Sequence, residues 1–135
     1  MAIAYINLGS NLGNRREIIQ RALDKISESL GVCCISNYIE SEPWGFESDN
    51  RFLNLGVSFK TELDPEDLLL ELQSIEKSIS GASHRDAEGN YIDREIDIDI
   101  IAIDELVYKS ERLIVPHPHL YDRDFFLIPF KELKI

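Results

Sequence analysis

Residues 94–103, Arg-Glu-Ile-Asp-Ile-Asp-Ile-Ile-Ala-Ile, constrain the fold of this chain more than any other stretch. Their apolar members are mostly β-branched and recur at every second position, which predicts a β-strand. In a strand Asp97 and Asp99 point to one face, about 6.6 Å apart at ~3.3 Å per residue. The isoleucines between them point to the other face, which must therefore be core.

The paired carboxylates allow two interpretations. Two acidic side chains on one strand repel each other and resist burial, and a pair of divalent cations would offset that cost. Carboxylates suit Mg²⁺, which takes one or two of them together with substrate phosphates. Two metals ~3.5–4 Å apart form the clamp used for in-line displacement at phosphorus. The alternative is the solvated face of an amphipathic sheet, which Glu95 on the same face favours.

Length and composition predict one ordinary globular domain. The 135 residues, 44% of them hydrophobic and 29% charged, are enough to build a single core, so residues 1–135 are treated as one domain. No apolar run approaches the ~20 residues of a membrane span, and there is no signal-peptide pattern. We therefore expect a cytoplasmic protein without a membrane partner.

The charge balance narrows the class of ligand. A net charge of −11 disfavours nucleic-acid binding, which needs a basic field. It also means that a nucleotide site would need metal ions and well-placed arginines to make the local charge positive. Cys33 and Cys34 are adjacent and have no CxxC spacing, so we expect two small buried residues in a reducing compartment, and no zinc site.

Strand-like and helix-like segments alternate along the chain in a β-α-β-β-α-β order with a shorter β-rich tail. This order predicts the ferredoxin-like α+β fold, an antiparallel sheet with two helices on one face. The first and third strands are the natural neighbours of the acidic strand. The predicted elements are a strand at 2–8, a helix with its apolar stripe over 18–30, strands at 32–42 and 52–59, a helix with its stripe over 68–79, the acidic strand, a short hairpin strand within 104–108 and a last apolar segment at 126–133.

The third strand has a face that suits a ligand. Its apolar residues at 53, 55, 57 and 59 predict the buried face, which leaves Phe52 and Asn54 on the opposite side. An exposed ring beside an amide is typical of ligand stacking with edge recognition. A second layer of core would explain Phe52 equally well.

Two further pairs of side chains are open to both functional and structural interpretations. Gln73 and Glu76 lie three residues apart on the second helix, off the centre of its apolar stripe. There they could reach a ligand or form a solvated face. His117 and His119 alternate with prolines in a stiff segment, where they could bind metal or be structural.

Six groups of residues, in this order and at these separations, resemble one family over nearly the whole chain. The family is 6-hydroxymethyl-7,8-dihydropterin pyrophosphokinase of folate biosynthesis. The groups with the paired aspartates and the Val-Pro-His sequence are the most specific. The six are Gly9-Ser10-Asn11-Leu12-Gly13, Pro43-Trp44-Gly45, Phe52-Leu53-Asn54, Arg94-x-Ile-Asp97-Ile-Asp99-Ile, Arg112-Leu-x-Val-Pro116-His117 and Arg123-x-Phe125.

The resemblance implies transfer of the β,γ-pyrophosphoryl group of ATP to the hydroxymethyl oxygen of the pterin, with release of AMP. It implies that Asp97 and Asp99 hold two Mg²⁺ ions and that Arg94 is a catalytic arginine on the transferring group. The ATP contacts it implies are Gln73, Glu76, Arg94, Arg112, His117 and Arg123. The pterin contacts are Phe52 and Phe125 as two aromatic walls, Asn54 on the amide-like edge, and Ser41, Pro43 and Trp44 completing that edge.

Two departures from the family pattern bear on the site. The family commonly has an arginine directly after the glycine that ends the second helix, and this chain has Ala82. Arg85, or His84 when protonated, could substitute from a shifted position, and Arg85 is therefore included among the catalytic candidates. Ile114 replaces a residue that is often a hydroxyl, which removes one contact to ATP.

Two other functions remain open at this stage. A palm-like nucleotidyl transferase uses paired aspartates on a similar sheet, although the acidic balance opposes a nucleic-acid substrate. A non-catalytic ferredoxin-like binding module would have merely solvated aspartates, and Ala82 is compatible with it. No coiled-coil heptad appears and one core uses the apolar stripes, so we expect a monomer.

Overall fold

A computed structural model describes residues 1–31, 33–42, 51–79 and 95–134. Four strands form one antiparallel sheet in the order β2-β3-β1-β4, and β5 and β6 form a two-stranded ribbon. The predicted ferredoxin-like α+β order is confirmed. The elements are β1 Ala2–Ser10, α1 Arg15–Leu30, β2 Cys33–Ser41, β3 Phe52–Thr61, α2 Pro65–Ile79, β4 Asp97–Ile103, β5 Tyr108–Lys109, β6 Ile114–Val115 and α3 Asp124–Lys134.

The acidic strand β4 lies at the edge of this sheet. It pairs with β1, as predicted, but the expectation that β3 is its other neighbour is wrong, because β3 lies between β1 and β2. The pairing of β3 with both of those strands occupies its two edges. One long edge of β4 is therefore turned away from the sheet, where side chains from elsewhere can reach its main chain.

The isoleucine face of β4 is core, as its spacing predicted. Ile96, Ile98 and Ile100 are buried in one cluster with the inward residues of β1 and β3 and the stripes of α1 and α2. Full burial of such a side chain stabilises the fold by about 1.5–3 kcal/mol. This packing fixes which face of β4 carries the two aspartates.

The opposite face of the sheet is partly covered by α3, which corrects the prediction of a β-rich tail. Each strand of the ribbon has only two residues, and the main element of the tail is an 11-residue helix. Phe126 of α3 packs with Tyr5 of β1 and Ile101 of β4 in a second cluster, and Phe130 and Leu133 lie against it. These positions follow helical spacing, but Pro129 inside the segment argues against a helix.

The two cysteines are free thiols. Cys33 packs against the main core and is half-buried, whereas Cys34 is exposed, so the prediction of two buried residues is wrong for Cys34. Successive residues of a strand point to opposite faces, and β2 is an edge strand with a neighbour on one side only. Within the described residues, no helix is long and apolar enough to cross a membrane.

Candidate active site

Asp97 and Asp99 lie on one face of β4, as predicted, and both are half-buried. Across the ladder to β1, Asp97 faces Gly9 and Asp99 faces Asn7. No group of three or more His, Cys, Asp or Glu side chains suited to a metal ion exists among the described residues. Two carboxylates alone fit Mg²⁺, which completes its shell with waters and substrate phosphates rather than with an all-protein cage.

The main chain between the aspartates is held from the second helix. Glu76 on α2 is 8% exposed, and its Oε2 accepts a hydrogen bond from the N–H of Ile98 at 2.6 Å. Because β4 is an edge strand, this N–H points away from β1. The carboxylate of Glu76 gives it the hydrogen-bond partner that a buried N–H needs. The interpretation as a solvated helix face therefore fits Gln73, which is exposed, and does not fit Glu76, which is buried.

Phe52 and Asn54 lie on the same face as the aspartates but are buried, so the expectation of an exposed ring is wrong. Gly9 lies close to both, since a Cβ placed on it would be 3.2 Å from Asn54 Oδ1 and 3.5 Å from Phe52 Cδ1. The amide nitrogen of Asn54 donates to Ile39 O at 3.2 Å and to Ser41 Oγ at 2.9 Å. Its donors are thus engaged with β2, which makes Oδ1 the atom suited to accept from a ligand.

Phe125 and Arg123 lie at the start of α3. Asn7 Nδ2 donates to the carbonyl of Phe125 at 2.7 Å, so the main chain of Phe125 is fixed beside the position across from Asp99. The guanidinium carbon of Arg123 lies 5.8 Å from the ring centroid of Phe125 and 5.1 Å from that of Phe126. These contacts hold the guanidinium of Arg123 beside both rings.

A cleft of about 260 Å³ opens along the outer edge of β4. Its walls bring together Asp99, Arg112 and His117, which the sequence places far apart, with Leu69 and Leu113 as apolar surface. Ile114 also lines it, at the position where the family often has a hydroxyl. The cleft therefore joins one of the paired carboxylates to two of the predicted ATP contacts.

His117 is held as a neutral ring. The main-chain N–H of His117 donates to Ile101 O at 2.8 Å, and the ring Nδ1 accepts from the main-chain N–H of His119 at 3.0 Å. Burial lowers the pKa of His117 to about 4, with a smaller contribution from the positive charge of Arg123. With Nδ1 accepting, the proton of the neutral ring sits on Nε2, which makes His117 a hydrogen-bond donor.

The two histidines have structural partners rather than a shared ligand. Nδ1 of His117 is occupied by the main chain of His119, and the ring of His119 lies 3.3 Å from Asp122 Oδ2. The structural interpretation of this pair therefore fits the contacts better than a two-histidine metal site.

Arg112 is held by a carboxylate from the first turn of α2. Its Nε and Nη2 lie 3.2 and 3.0 Å from Glu66 Oε1, while Glu66 Oε2 accepts from Tyr108 and Ser110 at 2.8 and 2.7 Å. The hydrogen bond from Ser110, then that from Tyr108, lowers the pKa of Glu66, so its charge persists at lower pH than that of an ordinary glutamate.

Sequence reasoning did not single out Asn7 or Glu66. A buried amide in an otherwise apolar β1 was the available signal for Asn7, whereas Glu66 looked like an ordinary acid in a first turn. Four predicted site residues, Pro43, Trp44, Arg85 and Arg94, lie outside the described residues, as do Ala82 and His84.

The fold and these side chains define a ferredoxin-like protein whose paired carboxylates lie between an aromatic–amide pair and a cleft lined by Arg112 and His117. The family model for 7,8-dihydro-6-hydroxymethylpterin-pyrophosphokinase matches residues 5–135. The chain belongs to this family.

Curated relatives support the same assignment. Proteins named 2-amino-4-hydroxy-6-hydroxymethyldihydropteridine pyrophosphokinase are 41% identical in Porphyromonas gingivalis, over 98% of this chain and 91% of the relative. In Aquifex aeolicus the identity is 42%, over 99% and 81%. In Bacillus subtilis it is 37%, over 97% and 77%.

Proposed function

We propose that this protein transfers the pyrophosphoryl group of ATP to the hydroxymethyl oxygen of 6-hydroxymethyl-7,8-dihydropterin, releases AMP, and so serves folate biosynthesis. Family membership and the names of the relatives support the activity. The observation that carries the chemistry is the shared face of Asp97 and Asp99. Asp99 borders the cleft that Arg112 and His117 line. Asp97 is paired with Gly9 in the β1–β4 ladder. Gly9 in turn lies close to Phe52 and Asn54.

Asp97 and Asp99 would hold two Mg²⁺ ions, which would neutralise charge on the triphosphate and lower the pKa of the attacking hydroxyl. The chain's own task is to hold the two substrates in line, since positioning and electrostatic stabilisation supply most of the rate in phosphoryl transfer. The catalytic roles of Arg94 and Arg85 rest on the resemblance of the sequence alone.

The cleft supports binding of ATP. The planar guanidinium of Arg112 suits phosphate oxygens, and His117 donates from Nε2 to a phosphate or ribose oxygen. Arg123 adds charge from the start of α3, where stacking on Phe126 limits its motion. Gln73 and Glu76 on α2 complete the proposed set, and the buried carboxylate of Glu76 also holds β4.

The pair formed by Phe52 and Asn54 supports binding of the pterin. Phe52 and Phe125 would form the two aromatic walls, and Asn54 Oδ1 would accept from N–H groups on the pterin edge. Ser41 holds the Asn54 amide in that orientation, and Pro43 and Trp44 complete the edge by resemblance. We further propose that residues 1–135 act as a single domain and a monomer in the cytoplasm, on small molecules only.

The direct test is to incubate the protein with ATP, Mg²⁺ and the reduced hydroxymethyl pterin and to identify the nucleotide product. We expect AMP and the pyrophosphorylated pterin. Asp97→Asn and Asp99→Asn should each lower kcat by about 100-fold or more, because a metal clamp supplies several kcal/mol of transition-state stabilisation. Glu105→Gln, an exposed acid just beyond the end of β4, is the matched control and should retain full activity.

The alternatives give other products. ADP would indicate an ordinary kinase, and incorporation of a nucleoside monophosphate into nucleic acid would indicate a nucleotidyl transferase. No turnover together with ATP binding that is indifferent to Mg²⁺ would indicate a non-catalytic module. Any of these results would overturn the proposed reaction.

A further inference from the structure

Helix α3 contains a proline that leaves one of its carbonyls without a helical partner. Pro129 lies inside Asp124–Lys134, and proline has no N–H. In an α-helix the N–H of residue 129 would bond the carbonyl of residue 125, four positions earlier. The carbonyl of Phe125 therefore needs a donor from outside the helix.

Asn7 of β1 supplies that donor. Its Nδ2 lies 2.7 Å from Phe125 O, across 118 residues of sequence, and its side chain is 3% exposed. A hydrogen bond donated by a buried amide holds its partners in one geometry. The start of α3 is thus fixed to the sheet by a contact that the proline makes necessary.

The proline itself packs on the next strand at the same level. Asn7 is paired with Gly56 of β3, and a Cβ on Gly56 would be only 2.6 Å from Pro129 Cβ. The ring of Pro129 therefore fits over a position where any larger residue would clash. Asn7 and Gly56, side by side in the ladder, hold the two ends of one helical turn.

We propose that Asn7 is a positioning residue for the pterin, acting through the main chain of Phe125. On its other side the main chain of Asn7 is paired with that of Asp99 in the β1–β4 ladder, so the residue that holds Phe125 lies beside the strand of the paired carboxylates. The inference rests on the proposed function, because it uses Phe125 as a wall of the pterin site. Its effect falls on the pterin and not on ATP.

The experiment compares Asn7→Ala, Pro129→Ala and the double variant. We measure the dissociation constant of 6-hydroxymethylpterin in the presence of Mg²⁺ and a non-hydrolysable ATP analogue, and the KM of each substrate. Asn7→Ala should weaken pterin binding about three- to tenfold, the equivalent of one lost hydrogen bond. The KM for ATP should change by less than about twofold, since Asn7 acts only on the pterin wall.

Pro129→Ala provides the discriminating background. It restores the N–H that bonds the Phe125 carbonyl within the helix, so Asn7 becomes dispensable. In this background Asn7→Ala should change pterin binding by less than about twofold, because coupled residues show non-additive effects. Equal effects of Asn7→Ala in both backgrounds would overturn the proposal.

Ser58→Ala is the matched control for loss of a buried polar group. Ser58 lies one position along the same face of β3 from Gly56 and is buried, so the variant should change the melting temperature without changing pterin binding. If Asn7→Ala does not fold, Asn7→Thr keeps a polar strand residue whose hydroxyl is too short to reach the carbonyl. An unchanged pterin constant in that variant would refute the positioning role.

The two proposals fail in different ways. A wild-type protein that binds the pterin but releases no AMP would contradict the proposed reaction, while the Asn7 comparison could still be read from binding. A wild-type protein that makes AMP, with an Asn7→Ala variant that binds pterin equally well, would contradict the role of Asn7 alone.

Discussion

The carboxylate of Glu66 has two opposing effects on Arg112. As a counter-charge it weakens the attraction of the arginine for an anion. As a hydrogen-bond partner of both Nε and Nη2 it fixes one edge of the guanidinium and leaves Nη1 directed away from Glu66. Because the two effects differ in sign, a substitution can tell which of them governs ATP binding.

We predict that Glu66→Gln raises the KM for ATP about two- to tenfold, the usual cost of ordering a flexible side chain on binding. Glu66→Asp keeps the charge but shortens the reach, and should have a similar effect. Tyr108→Phe removes a hydrogen bond to the other oxygen of Glu66 and leaves the Arg112 contact intact, so it serves as the control. A lower KM for ATP in Glu66→Gln would mean that Glu66 acts mainly as a counter-charge.

The low pKa of His117 makes the stability of the folded protein depend on pH. Burial lowers this pKa from its usual value of 6.5 to about 4, so the folded protein binds a proton on His117 less readily than the unfolded chain does. The contribution of the neutral ring to stability is therefore fully present above pH 6.5. It decreases as the pH falls below that value and is lost near pH 4.

We predict that the stability advantage of the wild type over His117→Gln shrinks as the pH is lowered from 7 to 4. Glutamine keeps a polar group of similar reach but does not titrate, so the many carboxylates that titrate in this range cancel in the comparison. Urea unfolding of both proteins at half-unit pH steps measures the difference. Parallel stability curves over this range would show that His117 is not buried as a neutral ring.

At the scale of elements, the edge position of β4 makes its outer main chain accessible. Glu76 from α2 bonds the N–H of Ile98 and the N–H of His117 bonds the carbonyl of Ile101. Ile98, Asp99 and Ile100, which lie between these two contacts, line the cleft. Within the part of the chain that the structure describes, the outer edge of the strand that carries both aspartates is therefore held by the side chain of Glu76 and the main chain of His117 rather than by a neighbouring strand.

We predict that Glu76→Ala lowers the free energy of unfolding by about 1–3 kcal/mol, the cost of a buried donor left without a partner. Glu76→Gln keeps an acceptor oxygen and should lose less. Hydrogen exchange at the Ile98 amide, which should speed up in Glu76→Ala, locates the effect on β4. Lys77→Ala, the exposed neighbour on the same helix, is the control and should leave both measurements unchanged.

The predictable part of the molecule is the part that local periodicity encodes. Alternation in β4 placed Asp97 and Asp99 on one face, and the stripes of α1 and α2 placed the core against the other. The pairing of Asn7 with Phe125 spans 118 residues, and no local pattern encodes it. Helix α3 was missed for the same reason, since Pro129 opposes a helix unless a distant amide satisfies the carbonyl it releases.

At the scale of the whole molecule, the proposed ATP site lies in a protein of strongly negative net charge. The net charge is −11, and a triphosphate adds several more negative charges. The described part of the cleft contributes one arginine, already paired with Glu66, and a neutral histidine. Most of the charge that ATP must meet would therefore come from Mg²⁺ at Asp97 and Asp99.

We predict that neither Mg²⁺ nor a non-hydrolysable ATP analogue alone raises the melting temperature much, whereas the two together do. Two carboxylates form too small a site to hold Mg²⁺ firmly without phosphate oxygens, and ATP without Mg²⁺ meets unscreened like charge. At 100 times the dissociation constant, the joint ligand should stabilise the fold by about 2.7 kcal/mol. For a chain of this length that is a shift of roughly 10 °C.

Thermal melts with each ligand and with both, at fixed ionic strength, measure this synergy. Asp97→Asn with Asp99→Asn should abolish the shift that depends on Mg²⁺, because the ions would then lack protein ligands. Glu105→Gln again controls for a simple loss of negative charge. If the analogue alone produced the full shift, the arginines rather than the metal would supply the positive charge that the triphosphate meets. The roles proposed for Asp97 and Asp99 would then have to be abandoned.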